Sequence, residues 1–383
     1  MSVTAARGFR AAGVAAGLKA SGGPDVALVV NDGPGFAAAG VFTTNRVQAA
    51  PVRWSRQVLT GGRLAAVVLN SGGANACTGR AGFADTHATA EHVAERLGVG
   101  AGEVAVCSTG LIGEPLDLPR LVAGVDAASG GLSLAGAEDA AAAILTTDTV
   151  SKQAVTSVEG FTVGGMAKGA GMLAPGLATM LVVLTTDAAV DAAGCDRALR
   201  AAAGRTFARI DSDGCLSTND TVLLLASGAS DVAPDPERFD GAVEDVCAQL
   251  ARALIADAEG AEHEIAVHVV EAASDDDALE VARAVARSNL VKCAIFGRDP
   301  NWGRVLAAVG TTSAAFEPDA LGVTINGVKV CISAAPGEPR ALVDLSGRQV
   351  DISVCLHAGD HAVTVWTNDL TTAYVHENSA YST

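Results

Sequence analysis

Four apolar runs punctuate this chain: "VALVV" (26–30), "LAAVVL" (64–69), "MLVVL" (180–184) and "VLLLA" (222–226). Each has the length of a single strand and no polar alternation, the pattern of a strand covered on both faces. A bilayer span needs about 20 consecutive apolar residues, so none of the four crosses a membrane. Alanine-rich stretches of helical period lie between them, which predicts an α/β chain with mostly buried strands. One helix is expected over 85–98, with Asp85 or Thr86 at its start and Gly98 at its end. A second is expected over 239–259, with apolar residues at 243, 246, 250, 254 and 255. A third covers 274–289, where Ser274 caps the start and three aspartates follow at the positive end of the helix dipole. The latter two should each pack one face on a sheet.

With 383 residues, 49% of them hydrophobic, the chain can bury one large core or two ordinary ones. The polar turn at 227–240 is the nearest thing to a linker and reads equally well as a surface loop. Residues 1–23 carry no acid and superficially resemble a targeting peptide, but the block at 11–18 is mostly alanine and glycine, too weak for a signal core. That segment is read as part of the fold. A formal net charge of -17 repels a phosphate backbone, so nucleic acid is excluded as a partner. The eight cysteines and seven histidines are scattered without zinc-site or redox spacing. Reduced core thiols in a cytoplasmic protein, and no metal, are the expectation.

The segment "VGGMAKGAGMLAPGLATMLVVLTTD" (163–187) sets five glycines and one cation, Lys168, before an apolar run. Neither GxGxxG nor GxxxxGK[ST] is present, and a strand rather than a helix follows, which counts against a phosphate site. Thr179 at the start of that run is simply a β-favouring residue on one reading. On the other, the glycines permit a strained turn in which Thr179 Oγ attacks the carbonyl of Ala178 and converts the amide to an ester that water cleaves. Cleavage would free an α-amine of pKa roughly 7.7–8, against roughly 10.4 for lysine. Nucleophile and base would then sit on one residue, consistent with the lack of a GxSxG elbow.

A set of blocks carries a family resemblance: "NSGGANACTG" (70–79), "CSTGLIGEPL" (107–116), "TTDT" (146–149), "KGAGMLAPGLATML" (168–181), "RIDSDGCLSTNDT" (209–221), "DAEGA" (257–261), "GRDPNWGR" (297–304) and "WTNDLTTAYV" (366–375). From "GFRAAGVAAGLK" near the start to "VHENSAYST" at the end, the chain resembles the bifunctional ornithine acetyltransferases (glutamate N-acetyltransferases) of arginine biosynthesis. The resemblance implies the α/β fold of DmpA and ornithine acetyltransferase, with mixed sheets packed against helices. It implies self-cleavage between Ala178 and Thr179 into an α chain, 1–178, and a β chain, 179–383, intertwined as one globular unit and assembled as α2β2. It also implies a ping-pong transfer of acetyl from N-acetylornithine to Thr179 and then to glutamate. No cofactor is needed, because one acetyl amide is exchanged for another. Acetyl-CoA enters only as a second acetyl donor that some members accept.

By the same resemblance Thr109 and Gly110 form the oxyanion hole, although "STG" after the strand "EVAVC" is by itself an ordinary turn. Thr147, Lys168, Thr179, Glu259, Asn378 and Thr383 match the positions lining the substrate pocket. Lys168 is expected to meet an anionic substrate group, and Glu259 a cationic one or a moving proton. Asn378 and Thr383 lie where chains usually fray. "GRDPNWGR" is read as structural, with Arg304 available to an acid; Asn70 and Asn75 either shape the pocket or turn the chain. One departure follows "DAEGA": Glu262 and His263 stand where the family usually has Ser or Thr and then Lys, which bears on affinity or pH optimum.

Overall fold

The structure, a computed structural model, describes residues 2–174 and 180–380. The chain divides into two compact units: 1–208 with 215–254, and 209–214 with 255–382. Among the described residues the first unit holds strands β1 (Phe9–Val14), β2 (Val26–Asn31), β3 (Ala37–Phe42), β4 (Ala66–Asn70), β5 (Val104–Ser108), β6 (Lys152–Val158), β7 (Phe161–Lys168), β8 (Leu181–Thr186) and β9 (Thr221–Ala226). They form a sheet of order β1-β2-β4-β5 and a second of order β3-β9-β8-β7-β6. Both are mixed: β4 runs parallel to β5, and β8 parallel to β9, while the other neighbours are antiparallel.

The four apolar runs all fall in these strands or at their edges, and their lack of alternation has a direct cause. Ala27, Val29, Val67 and Leu69 face Met166, Leu181, Val183, Leu223 and Leu225 of the other sheet. Val26, Leu28, Val30, Val68 and Val106 face the opposite way, onto Trp54, Ala90, Val93, Leu121 and Val125 of helices Ala50–Val58, Gly79–Leu97 and Leu118–Gly131. The second sheet is covered on its outer side as well, where Val246 and Leu250 of helix Pro236–Ala256 close on Gly165 of β7. Two stacked sheets between helices leave both faces of the inner strands dry. Each buried Val, Leu or Met there contributes about 1.5–3 kcal/mol relative to exposure.

The second unit is built on a six-stranded sheet from β10 (Glu264–Ala272), β11 (Gly322–Ile325), β12 (Val328–Ile332), β13 (Ala335–Pro336), β14 (Gln349–Cys355) and β15 (His361–Asn368), in the order β13-β12-β11-β14-β10-β15. Only β10 and β14 pair in parallel. One face packs Val267, Val269, Val323, Ile352, Val354 and Val365 on Val281 and Val285 of helix Asp275–Arg287. Burial along β10 alternates, as a sheet with one solvated face requires.

Helix positions agree with the periodicity more closely than helix ends do. Ser274 caps Asp275–Arg287 by accepting the N–H of Asp277 at 3.1 Å, and Gly98 ends its helix at φ 69. The helix expected from residue 85 begins at Gly79, so Asp85 and Thr86 lie inside it. There the Thr86 hydroxyl donates to Gly82 O at 2.9 Å and accepts from Asn75 Nδ2 at 2.9 Å. The helix expected to reach 259 stops at Ala256, which leaves Glu259 beyond the dipole's negative end. "GRDPNWGR" is structural, as expected: Asn301 Oδ1 accepts the Arg304 N–H and caps Trp302–Val309. Arg304 itself donates to the Leu290 carbonyl at 2.8 Å rather than to an acid.

Cys107, Cys195, Cys247 and Cys331 are buried, while Cys77, Cys215 and Cys293 are exposed. Burial pushes the Cys107 and Cys195 thiols up to about 12. A disulfide-exchange reagent added to native protein at pH 8 should therefore label Cys77, Cys215 and Cys293 quickly, and the buried four only after denaturation.

Candidate active site

β5 ends at Ser108 and the chain turns through Thr109 and Gly110. The Thr109 N–H donates to Asn70 O at 3.0 Å, which ties the turn to the end of β4. Asn219 clamps the same region, donating from Nδ2 to Ser108 O at 2.8 Å and to Ala74 O at 2.6 Å. Gly110 has φ +126, and a Cβ there would stand 2.9 Å from the Gly73 nitrogen. Only glycine admits that approach. Of the two asparagines left open by the sequence, Asn70 donates to Ser108 Oγ at 2.6 Å beneath this turn, and Asn75, in left-handed backbone at φ 49, binds Gly82 O and Thr86.

Lys168 ends β7 with 2% of its surface exposed. Its ammonium donates to Thr146 Oγ1 at 2.7 Å and to Thr109 Oγ1 at 3.4 Å. A hydroxyl that accepts from an ammonium must aim its own hydrogen elsewhere, so Thr109 is arranged as a donor. Asp148, its side chain fully buried, organises the surroundings. It accepts from Lys152 Nζ at 2.6 Å and from the Gly169 and Thr146 N–H groups at 2.6 and 3.1 Å, and stands 3.9 Å from Lys168 Nζ. Burial alone would raise its pKa; the two ammoniums and the Gly169 N–H outweigh this and hold it below the ordinary value. Thr147 is half-buried between Thr146 and Asp148.

In the second unit Asn378, on helix Thr372–Ala380, donates from Nδ2 to Glu259 Oε2 at 2.9 Å. The C-terminal segment is helical there rather than frayed. Glu259 also lines a cavity of about 190 Å³ with Ser212, Arg287, Lys292, Asn368 and Asp369. Lys292 donates to Ser212 O, and burial lowers its pKa. Arg287 binds Asp211 at 2.7 Å, whose pKa burial nonetheless raises to about 6. Both signs of charge thus face one small cavity.

His263, the departure from the family pattern, is a core residue, 3% exposed. Its Nδ1 meets Asp369 Oδ2 at 2.7 Å and its Nε2 faces Leu345 O at 3.3 Å, while the Glu262 and His263 N–H groups donate to Asp369 Oδ1. Glu262 is exposed. Glu271, Cys355 and His357 form a surface cluster whose ligand atoms lie within 4.8 Å of one another. Burial and then Glu271 raise the Cys355 thiol, and the thiolate is the metal-binding form.

The structure therefore brings Thr109 to Lys168, and Glu259 to Asn378. Ala178, Thr179 and Thr383 lie outside the described residues. Sequence reading missed Asp148, Lys152 and Asp220, although "TTDT" and "STNDT" contain both acids. A carboxylate set among threonines just before a strand was the available signal.

Breaking a buried ion pair on one side costs ~3–5 kcal/mol, so Asp148→Asn should lower stability at pH 7 by that order. Because the folded-state pKa is depressed, the wild-type advantage is present above the unfolded value and lost as pH falls through the folded one. Denaturant titrations at pH 7 and pH 3 check this: the gap between wild type and D148N should narrow at the lower pH.

The family model described as the ArgJ family matches residues 10–383. The "Arginine biosynthesis bifunctional protein ArgJ" of Streptomyces avermitilis is 66% identical over 382 residues, covering 100% of both chains. The protein of the same description from Streptomyces coelicolor is 65% identical over 382 residues, again covering 100% of both. Among solved structures, ornithine acetyltransferase complexed with ornithine from Mycobacterium tuberculosis is 62% identical over 47% of this chain and 96% of its own, with a TM-score of 0.45.

Proposed function

Because this chain belongs to the ArgJ family, we propose that it moves the acetyl group of N2-acetyl-L-ornithine to L-glutamate through an acetyl ester on Thr179. Acyl transfer in arginine biosynthesis is the activity of the family; the route through Thr179 is our reading of this chain. Thr179 becomes the first residue of a β chain, 179–383, when its Oγ cleaves the bond to Ala178. The α chain, 1–178, stays bound, and the assembly is α2β2.

One observation carries this reading. Lys168 and Leu181 are register partners in the antiparallel β7–β8 pair, and residues 178 and 179 lie between them in sequence. At the end of β7 the Lys168 ammonium stands 3.4 Å from Thr109 Oγ1. A polarised hydroxyl at the strand end from which the chain runs on to Thr179 is what an acyl-transfer centre requires.

In the proposed cycle the Thr179 α-amine takes the Oγ proton as Oγ attacks the acetyl carbonyl. The Thr109 hydroxyl and Gly110 N–H hold the developing oxyanion, a donor there being worth ~3–4 kcal/mol of barrier. The C–N bond breaks, ornithine leaves with the proton, and the glutamate amine attacks the ester to regenerate Thr179. Lys168 steadies the oxyanion donor and faces a substrate carboxylate, and Glu259 with Asn378 receives the ammonium end of ornithine. The cavity beside Glu259, with Arg287, Lys292 and Asp369, suits a zwitterionic amino acid. Thr147 and Thr383 are carried over from the family resemblance as further substrate-binding residues, with acetyl-CoA proposed as a second donor.

A denaturing gel tests the central step: wild type gives two chains, Thr179→Ala one, and Thr179→Ser partial cleavage. An active wild-type preparation with an unbroken chain would refute the proposal. Incubation with acetylornithine and glutamate should yield acetylglutamate; acetate as sole product would make the protein a hydrolase. Lys168 is 2% exposed, so reversing its charge would test folding rather than binding. Lys168→Met removes a charge-assisted hydrogen bond of ~1.5–3 kcal/mol and should lower kcat/KM roughly 10- to 100-fold, chiefly through KM.

A further inference from the structure

Asp220 is a carboxyl that the acetyl-transfer cycle leaves unused. It directly precedes β9 and is 0% exposed. Its Oδ1 accepts the N–H of Met180 at 3.3 Å, and its Oδ2 has no hydrogen-bond partner among the described residues. The parallel register fixes this proximity: Leu181 pairs with Thr221, and the Thr221 N–H donates to Met180 O at 3.1 Å. The α-nitrogen of residue 179 is three covalent bonds from the Met180 nitrogen that Asp220 holds. Facing the carboxyl are the Ser217 and Thr43 hydroxyls and the Lys168 ammonium.

An asparagine would accept the Met180 hydrogen bond at the same size without burying an ionisable group. A buried acid at this place is therefore a cost that the fold does not need. Burial keeps it protonated well above the ordinary carboxylate range, against the pull of Ser217, Thr43 and Lys168. A carboxyl with the ordinary pKa of about 3.9 would be almost wholly ionised near neutrality and unable to donate.

We infer that Asp220 is the proton relay of self-cleavage, giving its proton to the Thr179 nitrogen as the bond to Ala178 breaks and recovering one from Thr179 Oγ. The inference rests on the self-cleavage proposed above. The atoms balance: the bond from Oγ to the Ala178 carbonyl carbon forms, the C–N bond breaks, and the nitrogen leaves as an amine with the Asp220 proton. The Oγ proton reprotonates Asp220. Water then hydrolyses the ester, its hydroxyl going to Ala178 and its hydrogen to Oγ.

The test follows cleavage of the full chain on a denaturing gel after refolding from denaturant, for wild type, Asp220→Asn and Thr179→Ala. General acid catalysis is worth about 10²–10⁴-fold, so D220N should cleave at least 100-fold more slowly. Wild-type cleavage should slow as pH rises through the Asp220 titration, and D220N should lack that limb. In the uncleavable T179A background, D220N should not lower the Tm at pH 8. D220N cleaving at the wild-type rate, or with the wild-type pH profile, overturns the relay alone. So does a large loss of Tm in the T179A background, which would make the residue structural. A wild type that stays whole defeats the self-cleavage reading itself, an outcome the gel separates from the others.

Discussion

The pairing of β7 with β8, and of β8 with β9, is the constraint on which the first unit's buried polar edge depends. Lys168 sits opposite Leu181 in one ladder and Thr221 opposite Leu181 in the other. The end of β7 and the start of β9 are thereby each laddered to the start of β8, and each of the three strands delivers a polar group near that edge: Lys168, the Met180 N–H and Asp220. The strands themselves are apolar on both faces, so slipping the register by one residue would exchange the inter-sheet and helix-facing side chains. The same hydrophobic packing that stabilises the unit thus fixes the polar edge to within a fraction of a residue. It also explains how a chain cut in the segment between β7 and β8 would stay together, because the strands on either side remain laddered and share one core.

Buried charge is concentrated at that edge. Asp148, Lys152 and Lys168 are each almost fully enclosed, and Asp220 is fully enclosed. Hydrophobic residues of similar volume would stabilise such positions as well or better, so a core rarely gains stability from charges there. Their arrangement instead sets directions. Asp148 fixes the turn at Thr146 and the peptide of Gly169, Lys168 is held between Thr146 and Thr109, and the Thr109 hydrogen is left to point away from the ammonium. The two acids are pushed opposite ways by one rule: Asp148 has ammonium partners close enough to overcome desolvation, and Asp220 does not.

The family and its chemistry were legible in the sequence because they reside in short contiguous blocks. Thr109 and Gly110 share "STG", and Lys168 lies ten residues before Ala178 in one glycine-rich stretch. The surroundings of His263 were not legible in sequence, because they depend on what packs around it and Asp369 lies 106 positions away. Asp148 and Asp220 escaped notice because their threonine-flanked blocks show neither their burial nor contacts such as the Gly169 and Met180 N–H groups, 21 and 40 residues away.

What the sequence determined alone was period and composition: which runs must be buried strands, where helices lie, and which contiguous blocks mark the family. Those follow from local sterics and from the free energy of removing apolar side chains from water, both properties of short segments. Tertiary structure decided how the strands order into sheets, why both faces of the first unit's inner strands are dry, and which distant polar groups share an edge. Those depend on contacts between residues far apart in the chain, and their energies exist only once the packing has excluded water.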